Sequence, residues 1–156
     1  MRWQLAPTRG NAVGTTPGGI RMASVLEEKD AIRELMARYC FHFDNGEFDA
    51  WLDLFTPDGA FDLGAMGRFS GRESLQKFLK SLPLTNGVPM MKHCVVNSIV
   101  DVSGEHATAQ SYVVVVRGGD QLAIAVAGRY YDQVAKTAGA WRFTERKVHF
   151  DLMSKR

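Results

Sequence analysis

MKHCVVNSIVDV (91–102), ATAQSYVVVVR (107–117), QLAIAVAGRYYDQV (121–134) and WRFTERKVHFD (141–151) are the runs on which the fold turns. Each is rich in β-branched or aromatic residues. Each is cut from the next by a turn-forming cluster, Ser103-Gly104, Gly118-Gly119-Asp120 or Thr137-Ala138-Gly139, so the four read as consecutive strands of an antiparallel meander. Upstream, beyond Pro83 and Pro89, the apolar period is helical instead. Val25, Ile32, Leu35, Met36, Tyr39, Cys40 and Phe43 recur at steps of three and four, which predicts an amphipathic helix of about five turns from Ser24 to Asp44-Asn45-Gly46. Ser24-Val25-Leu26-Glu27 supplies a capping box at its start. A short helix follows over Phe48–Leu54, then a turn at Thr56-Pro57-Asp58-Gly59, a strand over Ala60–Leu63 and a third helix over Arg72–Leu82. Helices first and strands after is an α+β pattern, with helices covering one face of a curved sheet that can enclose a pocket.

Residues 1–22 stand apart. Glycine and proline punctuate them without apolar period, so a flexible leader is expected ahead of a single domain over 23–153, with Met22 a plausible alternative start. The 156-residue chain carries 19 basic and 17 acidic residues. Three of the basic residues, Arg2, Arg9 and Arg21, lie in the leader, so the rest is close to neutral. So weak a field argues against nucleic acid or an anionic membrane as partner. No apolar run approaches the roughly 20 residues of a membrane span, no secretion signal is visible, and Cys40 and Cys94 form no metal-binding or disulfide spacing. A cytoplasmic setting is the expectation.

GxGxxG after a strand, GxxxxGK[ST], HExxH and GxSxG are all missing, so a mechanism without cofactor or metal is the simplest enzyme hypothesis. His93 opens the first long strand, where alternation would put Val95 and Asn97 on its face; it reads either as a strand-end histidine or as a site residue. Asp44 meets the negative end of the first helix, a placement that costs about 0.3–1 kcal/mol unless a cation answers it, and it reads equally as part of an Asp-Asn-Gly helix stop. Tyr39 belongs to the core or to a pocket. Arg146 shares a strand face with Arg142, Thr144 and Val148, and as a bland alternative would snorkel at the rim.

Taken in order, Arg38-Tyr39-Cys40, Asp44-Asn45-Gly46-Glu47-Phe48-Asp49, Leu54-Phe55-Thr56-Pro57-Asp58-Gly59, Phe69-Ser70-Gly71-Arg72, Lys92-His93, Gly128-Arg129-Tyr130-Tyr131-Asp132 and Trp141-Arg142-Phe143 resemble the SnoaL-like branch of the nuclear transport factor 2-like superfamily over about residues 24–152. The resemblance implies a cystatin-like cone, with three N-terminal helices packed in a strongly bent, mostly antiparallel sheet around an apolar pocket. The pattern is most similar to members with a His–Asp dyad: scytalone dehydratase, hexachlorocyclohexane dehydrochlorinase and bile-acid 7α-dehydratase. By that resemblance His93 and Asp44 are the dyad, Tyr39 an active-site donor and Arg146 an active-site cation. Asn97, Phe43, Trp51 and Phe61 are expected in the substrate-binding wall.

There are departures. Scytalone dehydratase's second histidine falls where this chain has Arg117 or a neighbouring valine, and the bile-acid enzyme's aspartate falls near Gln110 or Ser111. The catalytic aspartates of ketosteroid isomerase fall near Leu63 and Gly128; Asp62 is one residue off and so on the other strand face. The implied function is a cofactor-independent lyase or isomerase, above all a dehydratase, acting on a small hydrophobic substrate such as a steroid, polyketide or aromatic compound. The alternative is a non-catalytic ligand-binding or assembly subunit, as in aromatic-ring dioxygenase small subunits. A homo-oligomer, dimer or trimer, is expected, with Val114, Val116, Ile124 and Val126 supplying apolar strand surface.

Overall fold

The computed structural model describes residues 23–119 and 121–154, so the expected leader lies outside the described residues. Helix α1 spans Val25–Asp44, and both halves of its capping box form: the Ser24 hydroxyl accepts from the Glu27 amide, and the Glu27 carboxylate accepts from the Ser24 amide at 2.7 Å. Its apolar stripe, Ile32, Leu35, Met36, Tyr39, Cys40 and Phe43, is buried. Burial of this kind is worth about 1.5–3 kcal/mol for each large side chain. Helix α2 (Phe48–Leu52) is shorter than its sequence suggests, and α3 covers Gly71–Lys80.

Six strands form one sheet in the order β2-β1-β8-β7-β6-β5: β1 (Phe55–Asp62), β2 (Arg68–Ser70), β5 (Met91–Ser103), β6 (His106–Arg117), β7 (Ala123–Thr137) and β8 (Ala140–Met153). The hairpin β3 (Leu84–Thr85) and β4 (Val88–Pro89) stands apart. The meander β5–β8 is antiparallel as expected, and β1 joins β8 in parallel. The fold is therefore the cystatin-like α+β cone, with α1 against the concave face and the core between them.

Several expectations are corrected. Thr56-Pro57-Asp58-Gly59 is not a free turn but lies inside β1, where the register with β8 jumps between Phe55 and Ala60; the irregularity absorbs the proline, which has no amide proton for the ladder. The two- and three-residue strands β2, β3 and β4 were too short to show an alternation. Ile124 and Val126, expected only to supply apolar area on one strand face or another, fall on opposite faces, because the β6–β7 register shifts between Val115 and Val116: Val126 pairs with inward Val115, while Ile124 pairs with Val116 and is exposed.

Glu28 ties the first turn of α1 to the β7–β8 hairpin. Its carboxylate accepts from Lys136 Nζ and from Trp141 Nε1 at 2.6 Å, and these two hydrogen bonds, Lys136's first, hold its pKa below the usual glutamate value. A depressed folded-state pKa contributes stability that is present above the unfolded value and lost as pH falls through the folded one. Acid unfolding of Glu28→Gln, followed by circular dichroism, should therefore show a shallower loss of stability below the ordinary glutamate range than the parent.

Candidate active site

Asp44 and His93 come from the C-terminal end of α1 and the start of β5, and the fold brings them together. His93 Nδ1 lies 2.6 Å from Asp44 Oδ1, and the His93 amide donates to Asp44 Oδ2 at 2.8 Å. Both side chains are nearly enclosed, at 10% and 7% exposure, so water scarcely competes for these bonds. Two contacts from one residue fix the carboxylate's orientation. They also offset its poor position at the helix terminus, as does Lys92 Nζ, which donates to the Asp44 carbonyl at 3.2 Å. With the carboxylate accepting at Nδ1, the neutral imidazole carries its proton there and leaves the Nε2 lone pair free to take another.

A cavity of about 410 Å³ opens beside the dyad, within the range of small-molecule pockets. His93, Tyr39, Phe43 and Phe61 line it, with Val113, Val115, Val148 and Phe150 from the concave sheet face. The Phe43 ring meets the imidazole edge-on, with centroids 5.3 Å apart.

Not every expected wall residue is there. Trp51 is fully buried behind the lining, its ring 5.3 Å from that of Tyr39 and 5.8 Å from that of Phe43. Asn97 is exposed and has φ +55°, at the point where the β5–β6 register shifts between Val96 and Ile99; the irregularity breaks the alternation that would have set it beside His93.

Arg146 neither snorkels nor lines the cavity. Its guanidinium makes a two-point pair with Asp132, Nε to Oδ1 at 2.8 Å and Nη2 to Oδ2 at 2.6 Å, with both side chains wholly excluded from solvent. It is stacked among aromatic rings, 4.1 Å from the Tyr39 centroid and 4.2 Å from those of Tyr130 and Phe143, while its Nη1 finds no protein acceptor. Burial alone would lower the arginine pKa, but the Asp132 charge and its hydrogen bonds hold it above the ordinary value. Tyr39 and Tyr130 both line the cavity in front of this cation, and burial raises the pKa of each, keeping the phenols protonated.

Asp132 and Tyr130 are the residues that sequence reasoning missed. The available signal was the alternation of Tyr130, Asp132 and Val134 on the inward face of β7, an acid where apolar residues belong. Among the described residues no three His, Cys, Asp or Glu side chains converge on a metal-sized site, and no helix is long and apolar enough to cross a membrane.

An uncharacterized protein of Mycobacterium tuberculosis is 33% identical over 132 residues, covering 80% of this chain and 88% of its own. The small subunit of anthranilate 1,2-dioxygenase from Burkholderia cepacia is 27% identical over 133 residues, 75% of this chain and 83% of that one. Among solved structures, an NTF2-like protein with a cystatin-like fold from Novosphingobium aromaticivorans superposes with a TM-score of 0.74 at 24% identity, covering 83% of this chain and 86% of its own. A scytalone dehydratase-like protein of the same organism superposes at 0.72 with 25% identity, over 83% and 87% of the two chains. The family thus has both enzyme-like and dioxygenase-subunit neighbours. The model of the SnoaL-like domain matches residues 24–147, and the chain belongs to that family.

Proposed function

We propose that the protein is a lyase of the dehydratase type, or an isomerase, that removes a proton from a small hydrophobic substrate with His93 as base. The observation that carries this reading is the enclosed Asp44–His93 pair at the wall of an apolar cavity. Asp44 fixes the tautomer and stabilises the imidazolium as it forms. Nε2 takes a proton next to a carbonyl or a leaving group, and a general base so placed contributes typically about 10²–10⁴-fold. Tyr39 donates to the substrate oxygen on which negative charge grows. Arg146, which does not reach the cavity, acts as a positioning residue through its stacking on Tyr39. Loss of water completes the elimination; return of the proton elsewhere gives the isomerisation.

The second reading is a non-catalytic ligand-binding or assembly subunit, favoured by the similarity to a dioxygenase small subunit. Native mass spectrometry of the purified protein tests what the lyase reading and the ligand-binding form of the second reading both need, a small hydrophobic molecule held in the cavity. A bound adduct is expected in the parent and not in a cavity-filling Val113→Trp variant; equal adducts in both, or none in either, would count against the cavity as the site. The dyad variants argued in the Discussion then separate catalysis from binding. Self-association of the outer sheet face belongs to the same proposal, since Tyr112, Ile124 and Leu152 are exposed there. Sedimentation should give an oligomer that Leu152→Lys weakens, and a monomeric parent would remove the idea.

A further inference from the structure

The cavity wall is apolar along most of its length; among the described residues no aspartate or glutamate lines it, and Arg117 is the one arginine or lysine that does. Its position follows from the strand. The concave face of β6 presents Ala107, Ala109, Ser111, Val113 and Val115, all buried, and the next residue on that face is Arg117, which is exposed. Register fixes where this lies relative to the base: Val115 pairs with His93, and Arg117 pairs with Met91. Arg117 is therefore two residues along the strand from the dyad, a rise of about 7 Å, at the mouth. The Gly118 amide continues the ladder by donating to the Met90 carbonyl at 2.9 Å, so the backbone that carries the arginine is held. Arg68, Arg72, Arg129 and Arg146 each grip a carboxylate, whereas Arg117 faces none among the described residues.

We propose that the ligand of this cavity is an amphipathic anion, a hydrophobic body bearing a carboxylate, sulfonate or phosphate group, and that Arg117 binds the anionic end at the mouth. The inference rests on the reading of the cavity as a small-molecule site and names the class of molecule it selects. An anion at the inner end would be buried without a cation to meet it, at a heavy desolvation cost, because the one enclosed guanidinium among the described residues, that of Arg146, is paired with Asp132 and does not line the cavity. At the mouth it keeps part of its hydration and gains a planar donor suited to two-point contact. The span between Arg117 and His93 sets the molecule's size: the anionic group sits on the order of 7–10 Å from the carbon that loses its proton.

Two fluorescent probes test this: anilinonaphthalene sulfonate and N-phenylnaphthylamine, which has the same rings without the sulfonate. Both should bind the parent protein at one site and compete with each other. Arg117→Gln should weaken the sulfonate by about fivefold or more while leaving the neutral probe within twofold, and Arg117→Lys should restore most of the loss. Added salt should weaken the sulfonate in the parent and much less in Arg117→Gln. Equal weakening of both probes by Arg117→Gln, or no effect on either, would overturn the proposal while leaving the cavity as a ligand site. Failure of the neutral probe to bind the parent at all would instead overturn the small-molecule reading on which it rests.

Discussion

Asp44→Asn is expected to lower turnover by about 10²–10⁴-fold, and His93→Ala by at least as much, on any substrate the parent protein converts, with little change in the thermal midpoint. The asymmetry follows from where the charge sits. Asp44 closes α1 at its negative end, so removing its charge relieves an unfavourable helix-dipole interaction of about 0.3–1 kcal/mol even as the bonds to His93 weaken. The imidazole, by contrast, loses the carboxylate that keeps its proton on Nδ1 and that answers its charge once Nε2 has been protonated. Steady-state kinetics and thermal unfolding on the same preparations check both halves. If either variant keeps full turnover, the dyad mechanism is wrong. If both variants instead lose about 3–5 kcal/mol, the pair is a structural one and the non-catalytic reading gains.

Much of this was legible in the chain. Helix α1 and its cap were readable because an apolar stripe at steps of three and four has few alternatives over twenty residues, and the meander because each strand is long and bounded by glycine or a turn cluster. Tyr39 and Phe43 follow from the helix period and Phe61 from the strand that carries it. What was not legible lies at places where a strand gains or loses a residue. The irregularity at Val96–Ile99 turned Asn97 outward, and the one at Val115–Val116 turned Val126 inward. The most consequential is on β7 and β8. Counting back from the Thr137–Ala140 turn pairs Asp132 with Glu145, two acids with no reason to meet. The shift between Gln133 and Val134 moves the partner by one residue and sets Asp132 against Arg146. A register slip of one inverts the facing of a strand, so parity from the turn cannot find such a pair.

That pair should be the most sensitive point of the molecule to a single change. Asp132→Asn or Asp132→Ala leaves a permanently charged guanidinium enclosed among Tyr39, Tyr130 and Phe143 without its counter-charge, and a loss of about 3–5 kcal/mol is expected. At roughly 3 °C per kcal/mol for a domain of this size, the thermal midpoint falls by about 10–15 °C. Arg146→Ala should cost a similar amount, through the stranded carboxylate and the space left between three rings. Charge rather than packing is the origin, so the double variant Asp132→Leu/Arg146→Met should be more stable than either Asp132 single variant, with denaturant unfolding showing strong coupling between the two sites. Additive losses would mean that the pair stabilises through shape alone. The same double variant also isolates the arginine's part in the chemistry. It keeps the cavity and the His93–Asp44 dyad but removes the cation against which Tyr39 rests. A folded double variant with lowered turnover and unchanged binding of a neutral ligand would therefore mark Arg146 as a residue that strengthens Tyr39 as a donor, whereas full turnover would leave it a purely structural charge.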